Sequence, residues 1–78
     1  MNESELSIFN RVWQVCQEHN QNDLVTIRNW VNVEIIAYRS RFPTNRSFIN
    51  ENFIFNNIIT RINVSIDSTS QALYNPQQ

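Results

Sequence analysis

Not one of the 78 residues is a glycine. Glycine supplies the positive-φ positions of tight Asn-Gly hairpins and the bare backbone of phosphate-cradling loops. Neither device is open to this chain. Its punctuation is instead two polar breaks, one of them carrying Pro43, between three long segments with helical apolar spacing.

The first segment runs from about Glu3 to His19. At about 100° per residue, Leu6, Phe9, Val12, Trp13 and Cys16 fall together, and Ile8 and Val15 widen the stripe. Asn10, Arg11, Gln14, Gln17 and Glu18 fill the other half, so the helix is amphipathic with a broad buried face. Asn2 or Ser4 is placed to cap it, with Glu3 and Glu5 near the positive end of its dipole.

The second segment runs from about Asp23 to Phe42, capped by Asn22 or Asp23 and ended by Pro43. Its main stripe is Leu24, Ile27, Val31, Ile35 and Tyr38. Val25 and Ile36 lie on one flank of it; Trp30, Val33 and Ala37 lie on the other. A helix apolar on several sides is central, or shared between subunits. A strand competes here, because Val25, Ile27, Val31, Val33 and Ile35 alternate. No turn signal falls between Asp23 and Phe42, and an unbroken strand of that length is out of range.

The third segment runs from about Ser47 to Ile66, or on to Tyr74, with Thr44 or Asn45 as its cap. Phe48, Phe55, Ile58, Ile59, Ile62 and Ile66 form one stripe; Ile49, Phe53 and Val64 form a second. Residues 62–66 also alternate as a short strand would, and the helix is preferred there. The expected fold is all-α: an antiparallel helical hairpin with a third packed helix, a three-helix bundle of residues 1–67 followed by a polar, frayed tail at 68–78.

A domain of this size has little interior. Helices two and three each show a second apolar face, and surplus apolar surface marks an interface. The sequence therefore predicts a homo-oligomer, with Trp30, Val33, Ile49 and Phe53 as partner-binding residues. Cys16 is the single cysteine, which excludes an internal disulfide and fits a reducing compartment. The opening residues are acidic and polar, with no apolar leader, and no apolar run is long enough to span a bilayer. A cytoplasmic protein is expected, without a membrane partner.

Chemistry is poorly provided for. Cys16 and His19 are three apart, but a cysteine on an apolar stripe behaves as a small hydrophobe. The acids are scattered, with no metal-ligand spacing, so neither a metal, a cofactor nor an enzymatic activity is expected. Glu34 lies near the stripe of the second segment and is expected to pair with Arg28 or Arg41 across a helix or subunit contact. All six cations are arginine. Compositional drift explains the missing lysine. Escape from lysine-directed modification, of use to a phage or mobile-element protein, is the sharper alternative.

Half of those arginines, Arg39, Arg41 and Arg46, fall within eight residues beside Tyr38. They either complement the negative end of the second helix or hold an anion such as a nucleotide or nucleic-acid phosphate. Net charge is −1, which disfavours broad affinity for nucleic acid. The expected function is thus a non-enzymatic protein-binding module, a homo-oligomeric inhibitor or adaptor of a larger protein. A regulator binding phosphate through Tyr38, Arg39, Arg41 and Arg46 is the alternative.

Overall fold

In the computed structural model, the described residues are 1–74 for the backbone and 1–63 for the side chains. They form three helices, α1 (Glu3–Glu18), α2 (Leu24–Arg41) and α3 (Glu51–Tyr74), each packed against the other two. The start of α3 lies beside the start of α1: Asn2 Nδ2 donates to the Phe48 carbonyl at 2.8 Å, and the Asn50 N–H donates to Glu5 Oε2 at 2.9 Å. Hence α1 and α3 run in one direction and α2 returns between them.

Each helix starts on a side-chain cap. Asn2 Oδ1 accepts from the Glu5 N–H at 2.8 Å while Glu5 Oε1 accepts from the Asn2 N–H at 3.0 Å, a reciprocal capping box. Asp23 Oδ2 takes both the N–H and the hydroxyl of Thr26, at 2.9 and 2.8 Å. Asn50 Oδ1 accepts from the Phe53 N–H at 3.0 Å. The end of α1 shows how a glycine-free chain turns. Asn20 takes the left-handed conformation, at φ 49°. The Gln21 N–H reaches the Cys16 carbonyl at 2.9 Å and the Asn20 N–H the Gln17 carbonyl at 3.3 Å. This is the helix-ending motif usually completed by glycine, and asparagine tolerates that backbone best among the other residues.

The core is Ile8, Phe9, Val12 and Cys16 from α1, Ile27, Val31 and Tyr38 from α2, and Ile54 and Ile58 from α3. Trp13, Trp30, Ile35, Ile49, Phe55, Ile59 and Ile62 pack half-buried around it. The predicted bundle is present, but its stripes are rotated. Leu6 and Leu24, expected inside, are exposed. Ile54, left off the predicted stripe of the third segment, is fully enclosed.

The last difference follows from where α3 begins. It starts at Glu51, capped by Asn50, rather than at Ser47 after a cap at Thr44 or Asn45. A stripe anchored on Phe48 counts from a residue outside the helix. Counted from Glu51, the inward positions are Ile54, Ile58 and Ile62, each one turn apart. Residues 62–66 are helical, and α3 continues to Tyr74, the longer of the two ends read from the sequence. Of the polar C-terminal stretch, residues 75–78 lie outside the described residues. Among those described, no helix is long and apolar enough to cross a membrane.

Candidate interaction surface

Residues 42–50 connect α2 to α3 without a helix or strand of their own, apart from a turn at Pro43 and Thr44. Their backbone is nevertheless held from several sides. Arg39 donates from Nη1 to the Asn45 carbonyl at 3.0 Å and from Nη2 to the Ser47 carbonyl at 2.7 Å. Asn45 Oδ1 accepts from the Ser47 N–H at 2.8 Å, a side-chain turn. Its amide nitrogen donates to the Tyr38 hydroxyl at 3.2 Å, and that hydroxyl lies 2.9 Å from the buried Ser4 hydroxyl of α1. Asn2 and Glu5 then hold the Phe48 carbonyl and the Asn50 N–H.

Glu5 is the anionic member of this framework, and it is buried. Hydrogen bonds from the backbone N–H groups of Asn2 and then Asn50 hold its carboxyl below the ordinary value of 4.5. A carboxyl lowered in the folded state contributes stability that is complete above its unfolded pKa and is lost as pH falls through the folded one. The melting temperature should therefore fall in acid below about pH 4.5, and Glu5→Gln should flatten that fall while lowering the neutral value. A thermal melt series in acid tests this; equal acid sensitivity of both proteins would remove Glu5 as the cause. The thiol moves the other way, since burial pushes Cys16 up. Among the described residues no hydrogen bond joins it to His19, whose ring tilts against Trp30 at 6.0 Å.

On this braced connection, Phe48 is 74% exposed. The sequence placed it on a buried stripe. Its backbone is held by α1 and α2 while its ring faces solvent. Met1, Leu6, Phe42 and Phe53 are also exposed, and all belong to the same end of the bundle, where α1 and α3 start and α2 stops. Phe42 leans on Tyr38 with ring centroids 4.8 Å apart.

The four predicted partner-binding residues separate into two places. Trp30 and Val33 border a shallow groove of about 150 Å³ between α1 and α2, with Val12, Val15 and Glu34. Ile49 and Phe53 flank the start of α3. Val33 and Phe53 are exposed; Trp30 and Ile49 are half-buried against the core. The chain matches no protein-family model, no curated protein and no solved structure.

The four predicted anion-binding residues lie in the last turn of α2 and on the connection that follows it. The Tyr38 hydroxyl points into the bundle and Arg39 is engaged by two carbonyls. Arg41 lies 5.9 Å from the Phe42 ring, and Arg46 is exposed on the connection. Glu34 pairs with neither expected arginine. Its Oε2 lies 3.4 Å from Arg11 Nε on α1, at an ion-pair distance but without hydrogen-bond alignment. Arg28 is on the opposite side of α2. There it meets Asn52 Oδ1 at 2.6 Å, Glu51 at 3.7 Å and the Phe55 ring at 4.2 Å. Among the described residues, no group of three or more His, Cys, Asp or Glu side chains is placed to hold a metal ion.

Proposed function

We propose that this chain is a non-enzymatic protein-binding module, self-associating, that acts by docking on a larger protein through the end of the bundle carrying Phe48. The carrying observation is an aromatic residue 74% exposed on a connection whose backbone is already held by Asn2, Glu5 and Arg39. Holding a contact residue in place before binding removes part of the ordering cost of association. Aromatic residues are enriched in protein interfaces, and a few of them carry most of the binding energy. Met1, Leu6, Phe42 and Phe53 are also exposed at this end of the bundle. Arg39 braces this surface rather than presenting a free guanidinium, which favours an apolar contact over a phosphate site.

Affinity capture from the native cell tests the proposal. A protein retained by the wild type should be retained in high salt, because apolar contacts are little screened. Phe48→Ser should weaken that binding by about 2 kcal/mol, roughly thirtyfold. Its melting temperature should stay near the wild-type value, since the ring is in solvent. Binding that survives Phe48→Ser but is lost in high salt and in Arg41→Gln/Arg46→Gln would support the anion reading instead.

A further inference from the structure

We propose that self-association uses the outer ridge of α2, paired with the same ridge of a second copy running antiparallel, so that Val25 of each chain meets Ile36 of the other. This rests on the self-association reading above and gives it a surface and a register. The ridge is Val25, Asn29, Asn32, Val33, Ile36 and Ser40, all exposed. Val25 is 70% exposed, and Val33 and Ile36 are each 61% exposed. None of the six is charged, although the chain has seven acids and six arginines to place on its surface. A solvated helix face ordinarily carries the charge. Depletion of charge is instead the mark of the centre of an interface.

The spacing also fits a helix seam. Val25, Asn29, Asn32 and Ile36 are separated by four, three and four residues, the 3.5-residue period of two helices crossing at about 20°. Along the seam the chemistry reads apolar, amide, amide, apolar. A two-fold axis level with the peptide between Trp30 and Val31 sets Val25 against Ile36 of the other copy and Asn29 against Asn32. Within the chain Asn32 Nδ2 already donates to Glu51 Oε1 of α3 at 2.9 Å, which leaves its carboxamide oxygen to accept from Asn29 of the other copy. Val33 lies on the flank shared with Thr26 and Ser40, and antiparallel pairing brings this uncharged flank against itself.

Charge selects the direction. Parallel pairing would set Arg39 of one copy, on the flank of this ridge, beside Arg39 of the other. Antiparallel pairing separates them by nearly the length of an 18-residue helix, about 27 Å. It also brings them level with Asn22 and the Asp23 cap of the other chain, and antiparallel helix dipoles attract.

A charge exchange tests surface and register together. Wild-type protein should sediment as two chains. Val25→Arg alone and Ile36→Glu alone should each raise the dissociation constant by about a hundredfold, because each buries unpaired charge. Combined in one chain, the two substitutions should restore the two-chain mass, since the new guanidinium meets the new carboxylate of the other copy. Both positions are exposed in the single chain, so helical circular dichroism should be unchanged. A two-chain mass that persists in both single variants overturns this surface and leaves self-association standing. Loss in the singles without recovery in the combination overturns the antiparallel register. A one-chain wild type overturns both this pairing and the self-association. As a second measurement, Cys16→Ala/Val25→Cys/Ile36→Cys should oxidise to a covalent dimer. Position 25 should then be linked to position 36, whereas links of 25 to 25 would overturn the register.

Discussion

Ile54→Ala is expected to leave the domain barely folded. Ile54 is 0% exposed and sits in the core formed by α1, α2 and α3. Removing a buried isoleucine side chain down to alanine costs about 2–5 kcal/mol, part transfer and part cavity. The total stability of a chain this short is on the order of 4–12 kcal/mol, at about 0.05–0.15 kcal/mol per residue. One substitution thus removes a large part of the margin. In urea the midpoint should fall by about 2 M, for a dependence near 1–2 kcal/mol per molar. Phe48→Ala, a larger truncation three residues before α3 begins, should barely move it. A larger loss from Phe48→Ala than from Ile54→Ala would mean that α3 is packed in the register its first sequence stripe suggested.

Arg39→Gln should cost about 2–3 kcal/mol, while Arg46→Gln should cost less than about 0.5 kcal/mol. The two arginines look alike in the sequence. In the fold, Arg39 closes two charge-assisted hydrogen bonds onto the Asn45 and Ser47 carbonyls, partly shielded from water. Such bonds contribute about 1.5–3 kcal/mol each, and partial exposure reduces the sum. Losing them also frees the connection that carries Phe48. Arg39→Gln should therefore weaken partner capture as well as stability, and Arg46→Gln neither. Thermal melts of both variants, with capture from the same lysate, check this. Equal small shifts would show that Arg39 acts only on the end of the α2 dipole.

The three helices were legible because their signals are local. The cap at Asn2, the cap at Asp23 and the stop before Pro43 depend on residues within one turn, and each is found where the sequence put it or offered it. The helical reading of residues 62–66 rested on periodicity and held in the same way. Misplacement began where a boundary was not local. Thr44, Asn45 and Asn50 are all competent caps. The choice among them is made by Asn2 and Glu5, more than forty residues away in the chain, which bind the Phe48 carbonyl and the Asn50 N–H. Moving the start of α3 from Ser47 to Glu51 put Phe48 outside the helix, and with it the most exposed aromatic ring described.

The surplus of apolar surface was readable from composition and spacing, but its location was not. Val25 and Ile36 were seen as a flank of the α2 stripe; only the packing of α1 and α3 on the other sides of α2 shows that this flank has no intrachain neighbour to cover it. The same holds for charge. Glu34 was expected to pair with Arg28 or Arg41 across a helix or subunit contact, yet within the chain α2 turns that face toward Arg11 of α1 and gives Arg28 to α3.

What the sequence determined by itself is helix formation, helix ends set by adjacent residues, and the excess of apolar over buriable surface. Those follow from interactions spanning four residues or fewer and from chain length. What only the tertiary structure decided is which face of each helix is inside, where α3 starts, and which arginine is a brace. Each of those depends on side chains brought together from distant parts of the chain, so no window along the sequence contains both partners.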